Sequence, residues 1–344
     1  MTFRLNPEET PLVILSEGCF GEPASKTATG VIRYGNWPIT AVIDSRYNGE
    51  TTVPVVATLS EAFTLLPKPK AMLIGTAPMG GGLPEDYKAV VIEAIQAGLH
   101  IISGLHIFLN DMPDIQALAN KHGVRLWDVR YVAPNNLITR QLARPSKTKV
   151  ITMVGSDCSV GKMFTALELT QALKKAGYKA EFVATGQTGI MISGHGVPLD
   201  RVIGDFMAGT LEAEIDRVIQ AYHPDFVVVE GQGSLLHPAY SGVTLSLLHG
   251  SAPDAMVLCH NPKLQGIRNF EHIAIPSWPK LINLYETATG WIKPAKIAGI
   301  SLNTSSFDAK QAQAFIDDAH QQTHLPVTDP VRFGIEDIMQ AIIN

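Results

Sequence analysis

Short apolar runs alternate with stretches of helical spacing along most of the chain. LVILSEG (Leu12–Gly18) and TAVIDS (Thr40–Ser45) read as strands, each a compact apolar run closed by polar residues or glycine. PVVATLSEAF and KAMLIGTAP continue the series, and KAVVIEAIQAGLHIISG adds a helix and the strand after it. In that last stretch Val91, Ala94, Ile95 and Leu99 keep helical spacing, and Gly98 reads as a C-terminal stop. Strands alternating with helices imply βαβ units and a parallel sheet.

The alternation lapses at Pro134–Lys149 (PNNLITRQLARPSKTK), a polar and basic stretch with two prolines that reads as a linker. A second series then starts with the strand VITMVG. It runs through EFVAT (Glu181–Thr185), DFVVVEG (Asp225–Gly231), DAMVLCH (Asp254–His260) and KIAGISLN (Lys296–Asn303). TALELTQALKKAG and TLEAEIDRVIQAYH read as helices between them. The expectation is an α/β chain of two doubly wound domains, 1–145 and 146–344.

Composition supports that size and removes several classes of function. A chain of 344 residues is long enough for two domains, and 46% hydrophobic with 17% charged residues describes a globular protein with a large core. The net charge of -5 gives no basic footprint for nucleic acid. No apolar run approaches the roughly 20 residues of a membrane span. The start, MTFRLNPEET, lacks the basic and apolar regions of a signal peptide. Cys19, Cys158 and Cys259 are too few and too scattered for a disulfide framework or a metal site, so a reducing cytoplasm is the expected setting.

GSDCSVGKMF (Gly155–Phe164) follows a strand and opens a helix, the order of a phosphate-binding loop. The residues expected to hold a cofactor are Gly155, Ser156, Asp157, Cys158, Ser159, Val160, Gly161, Lys162 and Met163. Loop amides and the positive end of the helix dipole suit a diphosphate, and Lys162 adds a charge-assisted contact. Five residues separate Gly155 from Gly161, where the common pattern has four. Met163 stands where Ser or Thr normally holds Mg²⁺, and Thr165 lies on a different face of the helix. Diphosphate binding survives that loss; metal-assisted hydrolysis of a triphosphate is harder to support.

The five-residue spacing, with VVVEGQGS (Val227–Ser234) after a later strand, resembles the dethiobiotin synthetase and cobyric acid synthase branch of P-loop enzymes. In that branch the segment supplies a Mg²⁺ ligand, matched here by Glu230. The chain is more similar still to the D-glutamate N-acetyltransferase family. The matching pieces in the C-terminal half are GSDCSVGK, ATGQTGIMISG, DFMAG and EGQGSLLHPAYSGVTLSLLHG. In the N-terminal half they are SKTATGVIRYG, VIDSRYNG, GTAPMGGGLP, SGLHIFLND and WDVR, so the likeness runs nearly full length. It implies an N-terminal Rossmann-like domain, a C-terminal P-loop NTPase-like domain, and transfer of acetyl from acetyl-CoA to the amine of D-glutamate. The ADP diphosphate of CoA is what such a loop would cradle without cleaving.

That chemistry needs a general base, because the ammonium of an amino acid must lose a proton before it attacks. It also needs donors for the developing oxyanion. His195, Asp205, Glu230 and His237 are the candidate bases, placed after strand ends where open α/β sheets bind ligands. Asp205 also reads as a helix cap, and Cys158, beside a helix N-terminus, as a thiol of lowered pKa. Asn303 is a candidate adenine contact. Asp44 sits where a Rossmann fold places an acid on a ribose. Lys26, Arg33, His106 and Arg130 are candidate partners for an acidic substrate. Two alternatives stay open: an ATP- and Mg²⁺-dependent ligase or kinase, and a non-catalytic nucleotide or CoA sensor. Small-molecule substrates and a homo-oligomer are expected, without nucleic acid or membrane.

Overall fold

A computed structural model describes residues 5–76, 82–140 and 147–344. The Gly80–Gly81 part of the glycine loop and the expected joint near residue 145 lie outside the described residues. The chain forms two compact units. One is Met1–Ala133 with Gly186–Arg201, and the other is Pro134–Thr185 with Val202–Asn344.

The first unit contains β1 (Leu12–Leu15), α1 (Lys26–Tyr34), β2 (Ile39–Ile43), β3 (Val55–Val56), α2 (Leu59–Ala62), β4 (Ala71–Ile74), α3 (Glu85–Gln96), β5 (His100–Ser103), α4 (Pro113–His122) and β6 (Leu126–Asp128). Its sheet has the order β3-β2-β1-β4-β5-β6, and every pairing is parallel. The four residues of β1 and of β4 are all buried, as the uninterrupted apolar runs require of strands covered on both faces. α3 ends at Gln96 and Gly98 turns the chain at φ 85°, so Leu99 is a core residue of the turn into β5 and not the last position of the helix.

The second unit begins with β7 (Lys149–Gly155), α5 (Lys162–Lys175) and β8 (Ala180–Val183). The next helix, α6 (Gln187–Ser193), belongs to the first unit. There the hydroxyls of Thr27 and Thr188 meet at 2.9 Å, and the Trp37 indole donates to the Met191 carbonyl at 2.7 Å. Gly104 admits this helix: a Cβ there would lie 2.8 Å from Met191 Cε. The chain returns through α7 (Met207–Tyr222), β9 (Phe226–Val229), α8 (Ser241–Ser251), β10 (Ala255–His260), the hairpin β11 (Gly266–Ile267) and β12 (Phe270–Ala274), and α9 (Trp278–Gly290). It finishes with β13 (Lys296–Leu302), α10 (Ala309–Thr323), β14 (Val327–Thr328), α11 (Pro330–Phe333) and α12 (Glu336–Ile343).

The second main sheet runs β14-β13-β10-β7-β9-β8, again parallel throughout. β7 is flanked by β10 and β9, so the loop after it opens at the reversal of strand order, where doubly wound sheets bind ligands. Leu248, Met256, Leu258, Tyr285 and Ile300 form the core beneath it. The described start of the expected linker is strapped along α7. Arg140 N–H donates to Glu212 Oε2 at 2.7 Å, and Thr210 donates to Asn135 at 3.0 Å. Among the described residues, no helix is long and apolar enough to cross a membrane.

Candidate functional site

The phosphate loop is bolted to its surroundings before it turns. Ser156 N–H donates to the Cys259 carbonyl at 3.0 Å, and its Oγ lies 2.8 Å from His260 Nδ1. The Gly155 carbonyl accepts the buried Tyr285 hydroxyl at 2.6 Å, and the Ser156 carbonyl accepts Ser234 Oγ at 3.1 Å. Asp157 is fully buried and accepts two amides, Cys158 N–H at 2.6 Å and Arg268 N–H at 2.7 Å. The chain then passes through Ser159 at φ 55° and Gly161 at φ 107°. A non-glycine residue held there costs roughly 1–3 kcal/mol, met by the surrounding contacts. Gly161 caps α5 with no side chain, so the first amides of the helix face the loop, an arrangement suited to an anion.

Lys162 is the charge inside this cradle. Its Nζ donates to the Asp157 carbonyl at 2.7 Å, and the side chain is buried. Burial pushes its pKa below the ordinary lysine value, against the pull of Cys259, Cys158, Asp157 and Glu230. A bound diphosphate would favour the charged form and offset that cost. Met163 leaves the metal-binding position without a hydroxyl. Thr165 does not replace it: its Oγ1 donates to the Gly161 carbonyl at 3.1 Å and lies 2.7 Å from Ser301 Oγ.

The segment after β9 forms the other wall. Glu230 is buried; its carboxylate accepts Thr185 N–H at 2.9 Å, and its carbonyl accepts the Thr185 hydroxyl at 2.9 Å. Gly231 lets strand and lysine close up, since a Cβ there would collide with the Met153 carbonyl and lie 2.7 Å from Lys162 Cδ. His237 is 2% exposed and packs between the rings of Tyr240 and Phe270, at 4.5 and 5.3 Å. Its Nδ1 accepts Ala239 N–H at 3.2 Å, so the neutral ring carries its proton on Nε2. In this geometry Nδ1 of His237 is engaged by a backbone amide, and the Glu230 carboxylate accepts one as well. One ligand atom each of Asp157, Cys158 and His237 lie within 4.8 Å of one another, a cluster that cysteine spacing alone did not suggest.

The expected low pKa at Cys158 is reversed. Burial pushes the thiol up; Lys162 and Arg268 oppose it and Asp157 adds to it. Asn303 does stand beside the loop, with its Cβ 3.6 Å from where a Cβ on Gly161 would lie, and its Oδ1 accepts Ser305 N–H at 3.2 Å. Asp205 is exposed in a short 3-10 turn and makes no capping hydrogen bond to α7, whose cap position is Phe206. His195 belongs to the first unit, where Ser193 Oγ donates to its carbonyl at 2.7 Å.

The remaining candidates lie in the first unit. Lys26 and Arg33 are exposed on α1, and the Arg33 guanidinium lies 5.2 Å from the centre of the Tyr34 ring. Arg130 is buried and already matched: Nη1 pairs with Asp200, and Nε donates to the Gly104 carbonyl at 2.8 Å. His106 is exposed nearby, its pKa lowered by partial burial and then by Arg130. Asp44 organises the loop after β1 and has little left for a ribose. Its carboxylate accepts the amides of Gly18, Phe20 and Arg46, each at 2.9 Å. Sequence reasoning missed His260, Arg268 and Tyr285. Each reaches the loop from more than 100 residues away, with no local motif to mark it.

Comparison with known proteins agrees with this architecture. Residues 42–132 match the DUF1611 N-terminal Rossmann-like domain, and residues 138–339 match the DUF1611 P-loop domain, both described as domains of unknown function. A protein of Tritonibacter scottomollicae named D-glutamate N-acetyltransferase is 40% identical over 274 residues, 79% of this chain and 81% of that one. A Pseudoalteromonas protein of the same name is 39% identical over 271 residues, covering 78% and 80%. The crystal structure of a DUF1611 family protein from Anabaena variabilis covers 97% of this chain and 99% of its own, with a TM-score of 0.89 at 38% identity. With its P-loop half matched over residues 138–339 and relatives near 40% identity over most of its length, this chain belongs to the DUF1611 family, an N-terminal Rossmann-like domain followed by a P-loop domain.

Proposed function

We propose that this protein acetylates the amine of D-glutamate, the activity for which its relatives in Tritonibacter scottomollicae and Pseudoalteromonas are named, and that acetyl-CoA is the donor. The observation that carries the reading is the loop itself. It keeps an uncapped helix start and a buried lysine for a diphosphate, but Met163 removes the metal-binding hydroxyl and Thr165 is committed elsewhere. CoA brings a diphosphate that needs holding and not cleaving.

In this mechanism Lys162 and the first amides of α5 hold the diphosphate. Glu230 takes one proton from the substrate ammonium. The amine nitrogen then attacks the thioester carbon, a C–N bond forms, and the carbonyl oxygen becomes an oxyanion that accepts from His237 Nε2–H. Collapse breaks the C–S bond, and the second amine proton passes to the departing CoA thiolate. Direct transfer is preferred to an acetyl-cysteine. The Cys158 thiol is pushed up by burial, and the acceptor nitrogen of His237 is already engaged by Ala239 N–H. The same reading expects a homo-oligomer working in the cytoplasm, and light scattering would measure its state.

The test is thiol release from acetyl-CoA with D-glutamate, L-glutamate or no amine, for the wild type and Lys162→Ala, with folding checked by circular dichroism. Release that requires D-glutamate and is lost in a folded Lys162→Ala supports the reading. No release with any amine refutes it.

A further inference from the structure

The second unit holds a cavity of about 300 Å³ that none of these steps uses. Its floor is apolar, with Leu281 and Leu302 buried in it. Rings wall it: His260, Trp278 and Phe315, the first two edge to face with centroids 5.1 Å apart. Asp318 and Gln322 lie exposed on the rim, where Gln322 Nε2 donates to Asp318 Oδ2 at 2.9 Å. Among the described residues lining it there is no lysine or arginine, so a phosphate finds no cationic side chain there. A flat, neutral ring with an amine on its edge finds an apolar floor, aromatic walls and a carboxylate acceptor.

The position of the cavity says which ring. It opens where β10 and β13 end, one hydrogen bond from the phosphate loop, because His260 in its wall meets Ser156 Oγ at 2.8 Å. Burial holds the His260 pKa down at about 4, so this wall is uncharged near neutrality. In the sheet, β10 and β13 lie on one side of β7, while β9 lies on the other and leads to Glu230 and His237. A cofactor whose diphosphate rests after β7 sends its two ends to opposite sides. Its thioester is needed beside Glu230, which leaves the nucleoside end for the β10–β13 side. We infer that the cavity takes the adenine ring of acetyl-CoA, packed against Trp278 with its exocyclic amine donating to Asp318. This assignment rests on the transferase reading above.

Calorimetry of CoA and of phosphopantetheine, which lacks the nucleoside, tests it with the wild type, Trp278→Ala, Trp278→Phe and Asp318→Ala. Acetyl transfer to D-glutamate by the wild type is followed in parallel. CoA affinity is expected to fall about tenfold in Trp278→Ala, the scale of one base–aromatic stack, and to recover in Trp278→Phe. Asp318→Ala, at an exposed position that folding tolerates, is expected to lose about fivefold. Phosphopantetheine affinity is expected to stay the same in all four proteins. Unchanged CoA affinity in both alanine variants, or an equal loss for phosphopantetheine, overturns the assignment even where the wild type transfers acetyl. A wild type that transfers nothing refutes the transferase reading separately. In that case a CoA affinity that still falls in the variants keeps the cavity assignment, and absence of CoA binding overturns it.

Discussion

Tyr285→Phe asks whether the phosphate loop is held from below by one hydroxyl. Tyr285 is 0% exposed in the core of the second unit, and its OH donates to the Gly155 carbonyl at 2.6 Å while accepting Leu235 N–H at 3.1 Å. Phenylalanine keeps the ring and its packing, so no cavity term enters. The change leaves a buried carbonyl and a half-buried amide without this partner. Each unsatisfied group costs roughly 1–3 kcal/mol, and partial repair by shifts in the neighbouring loop brings the sum to about 2–4 kcal/mol. Urea unfolding, followed by a probe in the second unit, should show a lower midpoint with an unchanged slope. Because Gly155 begins the loop, CoA affinity should weaken as well. A loss below about 0.5 kcal/mol, the range of an inconsequential surface substitution, would refute the claim that this hydroxyl anchors the loop.

The His260 pKa lies at about 4 in the folded protein, against 6.5 in an ordinary histidine. Between those values the unfolded chain binds more protons, so the contribution to stability is complete above about pH 6.5 and is lost as pH falls toward 4. At 1.36 kcal/mol per pH unit this amounts to about 3 kcal/mol. Urea midpoints between pH 7 and 4.5 should therefore fall more steeply for the wild type than for His260→Asn, and parallel curves would contradict the buried neutral imidazole. Cys158→Ser should keep D-glutamate-dependent thiol release within about threefold, since its thiol is pushed up by burial and is a poor nucleophile; loss of turnover in a folded variant, or an acetylated Cys158 in mass spectra, would reinstate the covalent route.

The strands were legible because their signal is local. Apolar runs at Leu12–Leu15, Val150–Val154, Phe226–Val229 and Ile297–Leu302 encode burial in a parallel sheet, whatever they pack against. The phosphate loop was legible for the same reason, since its glycines, lysine and helix lie within one short segment. Met163 already showed there that the metal-binding hydroxyl was missing. What each charged side chain does was not local. Arg130 reads as a free cation until Asp200 and the Gly104 carbonyl claim it, and Asp44 reads as a ribose acid until three loop amides do. Cys158 shows the limit of reasoning from a helix dipole, because desolvation outweighs it once neighbouring segments cover the thiol. Helix α6 shows the limit for domains: its sequence position lies inside the P-loop half, but its buried face is completed by Thr27 and Trp37 of the first unit. The sequence by itself determined which segments must be strand, helix or anion-binding loop, because periodicity and glycine placement act through near neighbours. Only the tertiary structure decided protonation, pairing and membership of a unit, because those depend on desolvation and on partners a hundred residues away.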